Sequence, residues 1–390
     1  NSRITLIADE IFLGKKDSIQ GDGILGLQPQ SDNVGIIVGG ISEESDQLNL
    51  GTRDLEAFAD GFSNILIGGF DQEPRNITIG IAGDAVFQDP LTLQANSIEI
   101  TETVKANFFR NSDETQIINQ TILNDSPTIL GVDNASITIN TENNIVVPNI
   151  IAPGQDVKLN SENGTIQITG RSILAPPIDA RQSSITIHGN SLQMLDSTID
   201  AINFENTESN PTVSIDIDVD NSVTLTNSSI LSLTNGEARG GDVNIKAGGE
   251  VSLTGLSRIG TISLSNASGD SGDIKIEANS LRLQEGGQLS SSTFSSGRAG
   301  NIDIDIVNNG SVKIVGIEPG QIEPSSLFVF YEGIDPQNLN QVPLLPFPRE
   351  PEEDLTNNVN FSDVIPHISQ EIPIYTNINS SDIILNATQE

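Results

Sequence analysis

The chain has 390 residues, no Cys, no Trp and a formal charge of −35, from 53 acidic and 18 basic residues. Without Cys there is neither a disulfide framework nor a thiolate metal site, and without a basic patch nothing replaces the counterions of a nucleic acid or meets an anionic membrane surface. Aromatic residues are only 4% of the chain against 35 Gly and abundant Asn, Ser, Ile and Thr, so the core has to be narrow and aliphatic, with short strands joined by tight turns.

Residues 1–104 carry strand-like segments ending at Gly corners: Ile4-Thr5-Leu6-Ile7, Gly35-Ile36-Ile37-Val38-Gly39-Gly40, Asn64-Ile65-Leu66-Ile67-Gly68-Gly69, Asn76-Ile77-Thr78-Ile79-Gly80 and Ser97-Ile98-Glu99-Ile100. Because the pattern has already begun at Ile4, with no initiator Met or leader, the chain reads as a piece of something longer. Between the strands, Asp54 to Phe62 predicts one or two helical turns closed by Gly61, carried on a loop. Residues 105–182 are less regular, with strands expected at Ile137-Thr138-Ile139, Val157-Lys158-Leu159 and Thr165-Ile166-Gln167-Ile168.

From 183 to 317 a repeat takes over. One strand recurs as Ile185-Thr186-Ile187, Val213-Ser214-Ile215, Val243-Asn244-Ile245, Ile274-Lys275-Ile276 and Ile302-Asp303-Ile304, at spacings of 28, 30, 31 and 28. Another recurs as Leu192-Gln193-Met194, Val223-Thr224-Leu225, Val251-Ser252-Leu253, Leu281-Arg282-Leu283 and Val312-Lys313-Ile314, and a third position carries Ile199, Ile230, Ile259 and Leu289. Apolar and polar residues alternate within each strand, so one face turns inward, and no single three-stranded coil could bury it. Stacked coils can, each strand pairing with its equivalent about 4.8 Å away and the apolar side chains forming columns. The fold expected is therefore all-β: a right-handed parallel β-helix, or solenoid, of about five regular coils over 183–317, with loop insertions in 1–104 and 105–182. Gly241-Asp242, Gly272-Asp273 and Gly300-Asn301 precede the first strand of a coil, where Gly is expected to supply a positive φ. In this alignment His188, Asp216, Lys246, Glu277 and Asp305 form one outward column, with mostly alternating charge. Past 318 the repeat fails, and Pro343, Pro346, Pro348 and Pro351 mark an acidic, irregular tail or cap.

The order Gly-Asn/Asp-Ile-x-Ile, Val-x-Leu and Gly-x-Ile-Ser-x-x-Thr, of which Gly286-Gly287-Gln288-Leu289-Ser290-Ser291-Ser292-Thr293 is an example, resembles the filamentous-haemagglutinin-like exoproteins of two-partner secretion, many of them cyanobacterial. Gly26-Leu27-Gln28-Pro29, Leu48-Asn49-Leu50, Phe58-Ala59-Asp60-Gly61-Phe62-Ser63, Ile77-Thr78-Ile79-Gly80 and Phe87-Gln88-Asp89-Pro90-Leu91-Thr92-Leu93-Gln94 are similar to a second repeat of the same proteins. The resemblance implies a secreted or cell-surface, outer-membrane-associated protein, exported through an outer-membrane pore partner and engaged in adhesion to a cell-surface or glycan receptor. It brings no catalytic residues and no cofactor, and the secretion domain of the family is not recognisable here.

Several motifs invite chemistry. Gly21-Asp22-Gly23-Ile24-Leu25-Gly26 spells the dinucleotide fingerprint, but Leu27-Gln28-Pro29 follows instead of a helix, so a corner turn is expected. Asp216-Ile217-Asp218-Val219-Asp220 opens like a calcium loop yet has Asn221 and Asn227 where Gly and Glu are required, and reads as a strand with acidic teeth. Glu277, Asp303 and Asp305 are the remaining cation candidates, three carboxylates on neighbouring coils with Lys275 beside them. Polysaccharide lyases and glycosidases also use parallel β-helices, but sugar sites stack aromatic rings and only Tyr331 and Tyr375 are present besides Phe. His188 falls in the outward column and His367 elsewhere, an arrangement expected of a surface ladder. No run of apolar residues approaches the roughly 20 that span a bilayer as a helix, so no membrane insertion is expected. The expectation is a non-catalytic adhesin segment; a cleft lined by three or more carboxylates with Lys or Arg beside it would favour the enzyme instead.

Overall fold

The computed structural model describes residues 2–40, 46–69, 75–80, 84–100, 128–131, 135–147, 149–152, 155–170, 172–174, 184–203, 214–264, 267–294, 296–314, 326–331, 374–376 and 383–387. The architecture is a parallel β-helix, nearly all strand, in two compact units, Asn1–Leu174 and Ala175–Glu390. Pro343, Pro346, Pro348, Pro351 and His367 lie outside the described residues.

In the first unit the strands Arg3–Ile7, Ile24–Gln28, Asn64–Gly68, Leu91–Ala95, Ile137–Thr141 and Val157–Ser161 pair in parallel, each with the next. The register runs Ile4, Leu25, Ile65, Leu91, Ile137, Val157 in one inward column and Leu6, Leu27, Ile67, Leu93, Ile139, Leu159 in the other. From Leu25 and Leu27 onward these side chains are at most 1% exposed, each burial contributing roughly 1.5–3 kcal/mol. A second column places Gly35–Val38 between Gln47–Leu50 and Ile77–Ile79 and continues through Ile98–Ile100, Ile145–Val146 and Thr165–Thr169. The third, which sequence periodicity does not single out, is Asp84–Phe87, Thr128–Gly131, Asn149–Ile151 and Ser172–Leu174. Strand Gln47–Leu50 explains the irregular spacing: the chain turns back after Val38, lays this strand on the flank of Gly35–Val38 opposite Ile77–Ile79, and only then moves on. The helix is a single turn, Thr52–Leu55, earlier and shorter than the helical turns expected over 54–62; Phe58 instead bridges to Ile19, and Gly61 sits at φ +133°.

In the second unit three columns hold as expected, with one correction. Ile185, Ile215, Val243, Ile274 and Ile302 share a register, so the second coil uses Ile215-Asp216-Ile217 and not Val213-Ser214-Ile215. The residues from Val213 to Val219 alternate apolar and polar throughout, and a period of two fits equally well two residues earlier or later. The corrected outward columns are Thr186, Asp216, Asn244, Lys275, Asp303 and His188, Asp218, Lys246, Glu277, Asp305. The second column pairs Leu192, Val223, Val251, Leu281 and Val312, and the third Ile199, Ile230, Ile259 and Leu289. Strands Ser326–Tyr331 and Ile374–Thr376 extend the third column, and Ile383–Ala387 pairs with the first-column part of Ile302–Ile314.

The corners also differ from expectation. Gly272 and Gly300 are not at positive φ; a Cβ on Gly272 would lie 1.8 Å from the Gly241 carbonyl oxygen, and one on Gly300 1.9 Å from that of Gly272. Here glycine is required because successive backbones nearly touch. The left-handed corner lies between the second and third strands, at Asp196 (φ +49°), Asn227 (φ +47°), Gly255 (φ +67°) and Glu285 (φ +55°). Asn and Asp tolerate that conformation better than other non-Gly residues. Beside it a serine ladder seals the turn: the Ser228 hydroxyl accepts the Ser197 N–H and donates to the Thr226 carbonyl, and Ser257 repeats the pattern for Ser228 and Thr254.

Candidate functional site

The outward face of the first column in the second unit is a polar surface that runs across successive coils. Alternation turns Thr186, Asp216, Asn244 and Lys275, and two residues further along His188, Asp218, Lys246 and Glu277, away from the aliphatic columns. Together they line an open groove of about 540 Å³. Three carboxylates, two lysines and a histidine thus share one surface, which meets the condition set above for an enzyme.

Its internal contacts are those of a ladder. Asp216 accepts the Ser214 hydroxyl at 2.6 Å and the Asn244 amide at 2.8 Å. Lys246 lies 3.6 Å from the Glu277 carboxylate, an exposed pair worth at most about 1 kcal/mol. Asp218 sits in register between His188 and Lys246. Opposite or complementary groups therefore alternate across strands about 5 Å apart, which favours the register itself. No Phe, Tyr or Trp side chain lines the groove.

Of the cation candidates, Glu277 is opposite Asp305, whereas Asp303 is opposite Lys275 and two residues away along the strand. Glu277 is committed to Lys246, and Asp305 keeps one buried oxygen, Oδ1, without a hydrogen-bond partner. Among the described residues no group of three or more His, Asp or Glu side chains is arranged to hold a metal ion. The dinucleotide reading fails on topology, since Gly21 to Gly26 lead into the strand Ile24–Gln28. Asp216 and Asp218 belong to the strand Ser214–Val219 and not to a calcium loop.

Sequence reasoning missed the outer face of the third column. Strand Ser229–Thr234 is buried at every position, and Leu231, Leu233 and Ile262 form an apolar cluster with Leu264 and Phe294 on the side away from Ile230 and Ile259. Asp200 faces the same way, in register with Leu231; its Oδ1 has no hydrogen-bond partner, and burial pushes its carboxyl up to about 8. Nearby Arg258 donates from Nε to the Ser290 hydroxyl at 2.8 Å, and burial pulls its guanidinium down to about 10, still charged at neutral pH. A polar letter flanked by Ile199 and Ala201 gives no hint that both faces of its strand are covered.

Two other carboxylates are fastened to backbone. Asp89, 4% exposed, accepts the N–H groups of Gly61 and Phe62 at 3.0 Å each, and desolvation nonetheless raises its pKa. Asp9 accepts the Ser31 hydroxyl and the N–H groups of Ser31 and Gln30, which hold it below the ordinary carboxylate value.

Among the described residues no helix is long and apolar enough to cross a membrane. No protein-family model, no curated protein and no solved structure matches the chain.

Proposed function

We propose that the chain is a non-catalytic solenoid segment of a large secreted or surface-displayed protein, exported through an outer-membrane pore of the two-partner type and serving adhesion or surface structure. The observation that carries this is the engagement of the outward polar groups with their neighbours on adjacent coils: Ser214 and Asn244 on Asp216, and Lys246 on Glu277. A surface that satisfies itself in ladders presents many weakly spaced contacts to a receptor, and avidity then grows with the number of coils. The test is adhesion of immobilised chain to cells and to a glycan array, with charge reversal along the column (Asp218→Lys, Lys246→Glu) as the perturbation. Retained binding in a variant that also reverses Lys275 and Glu277 would remove this face from the adhesive role.

A second reading rests on the groove over Asp216, Asp218 and Glu277, with Lys246 and Lys275 at its side: a carbohydrate-active enzyme or a carbohydrate-binding protein. Release of new reducing ends or unsaturated products from a polysaccharide panel, abolished by Asp216→Asn, Asp218→Asn or Glu277→Gln without loss of fold, would favour the enzyme over the adhesin.

A further inference from the structure

We propose that the groove over strands Ser184–Gly189, Ser214–Val219, Val243–Thr254 and Ile274–Gln284 binds a zwitterionic glycan, an oligosaccharide that carries both free amino groups and carboxylates. Such binding rests on the adhesive role of this face and gives the receptor its chemistry. The charges in the groove are not all spent on one another. Lys246 is paired with Glu277, and Asp216 is held by two neutral donors, Ser214 and Asn244, which leave its charge in place. Asp218 and Lys275, both exposed, have no hydrogen bond or ion pair among the described residues.

The unspent charges are separated by sign. Asp216 and Asp218 stand on one strand, two residues apart, and form an acidic pole. Lys275 stands two strands further along, in register with Asn244 and through it with Asp216. A strand spacing of about 4.8 Å and a rise of about 3.3 Å per residue put Asp218 and Lys275 roughly 12 Å apart between Cα atoms, a distance that an oligosaccharide bridges and a single sugar does not. Between the poles the Asn244 side chain keeps its carbonyl oxygen as an acceptor once its amide has gone to Asp216, and Thr186 adds a hydroxyl at the acidic end. His188 stands at that end in register with Asp218, and Asp303, in register with Lys275, is outside the groove lining.

Other classes of ligand fit this arrangement less well. A neutral glycan stacks its rings on aromatic side chains, and the groove is lined by no Phe, Tyr or Trp. A polyanionic glycan meets Asp216 and Asp218 in the groove and a chain of charge −35 around it, and a polycation meets Lys275. An extended peptide docks by adding a strand, but Ser214–Val219, Val243–Thr254 and Ile274–Gln284 are paired on both flanks and offer it no free backbone. A ligand with a positive group for Asp216 and Asp218 and a negative one for Lys275 meets all three without opposing charge.

The test is titration calorimetry of the full 390-residue chain with de-N-acetylated hyaluronan oligosaccharides, in which free amines alternate with carboxylates. The acetylated parent carries the carboxylates alone, chitosan oligosaccharides the amines alone and cello-oligosaccharides neither, so the probes form a matched set. The de-N-acetylated probe should bind at least about fivefold more tightly than any of the others, and more weakly as salt is added. Asp218→Asn and Lys275→Gln should each weaken it by about fivefold, the limit for an exposed ion pair, and together by about 25-fold, because poles this far apart act independently. Both positions face solvent, so the circular-dichroism spectrum should not change. No binding of the zwitterionic probe, binding no tighter than that of acetylated hyaluronan or chitosan, or binding indifferent to both substitutions would each overturn the assignment. If reversal of the column still abolishes cell adhesion in that event, the adhesive role stands and the zwitterionic ligand alone falls.

Discussion

Replacing Asp200 by Asn isolates the cost of one buried carboxylate. Asp200 is 9% exposed, has an unpartnered Oδ1, and is raised from 3.8 to about 8 by desolvation alone. A raised acid is protonated in the folded chain at pH values where the unfolded chain has already lost the proton. Its effect on stability is therefore absent below about pH 4, grows as pH rises through the window from 4 to 8, and is complete above it. At about 1.4 kcal/mol per pH unit across that window, the ceiling is on the order of 5 kcal/mol, and local relaxation that admits water lowers it. The assay is denaturant unfolding of wild type and Asp200→Asn at acidic, neutral and alkaline pH and constant ionic strength. Every other carboxylate titrates alike in the two proteins, so the difference reports position 200 alone. The two should unfold at nearly the same denaturant concentration at pH 3.5, and the variant should be the more stable by several kcal/mol at pH 8.5, in keeping with the cost of a buried unpaired charge. A difference that does not change with pH would refute the reasoning.

Three further expectations follow from contacts described above. Asp89→Ala leaves the N–H groups of Gly61 and Phe62 without an acceptor and should cost roughly 1–3 kcal/mol by denaturant midpoint, whereas Asp89→Asn, which keeps one oxygen, should cost less. Asp9 is held below its usual range by Ser31 and Gln30, so the stability it lends is present above the unfolded value and lost as pH falls through the folded one; amide protection at Gln30 and Ser31 should decrease there in wild type and be low at all pH in Asp9→Ala. Gly272→Ala places a methyl 1.8 Å from the Gly241 carbonyl oxygen, an overlap that only backbone movement relieves, and should destabilise by about 3 kcal/mol or more on thermal melting, while Ser268→Ala in the neighbouring loop should fall within about 0.5 kcal/mol.

The columns Ile185 to Ile302, Leu192 to Val312 and Ile199 to Leu289 were legible because alternation and period coincide, and each apolar position recurs near the same place in every coil. Register was not fully legible. From Val213 to Val219 the alternation runs on without a break, and only the coils on either side fix Ile215 opposite Ile185. Gly272 was found for the wrong reason, since a letter cannot distinguish a left-handed corner from a backbone that passes too close for a side chain. Asp200 was invisible because polar residues between Ile and Ala read as solvent-facing, whereas the structure buries this one. The mixed-charge groove was half legible: Lys246 beside Glu277 emerged from the alignment, and Asp218 entered the column only after the shift of register.

The backward step at Gln47–Leu50 bears on how the first unit can assemble. If coils are added one after another along the chain, each new strand finds a finished template only on the side already built. Gln47–Leu50 breaks that rule, because it docks on the flank of Gly35–Val38 that faces the earlier coil. A growth front moving from the first strand onward must therefore leave this flank open until residue 50 has arrived, and only then can Asn64–Gly68 and Ile77–Ile79 be laid over a closed layer. On that order of assembly, the layer beneath Asn64–Gly68 and Ile77–Ile79 is complete only once Gln47–Leu50 has docked.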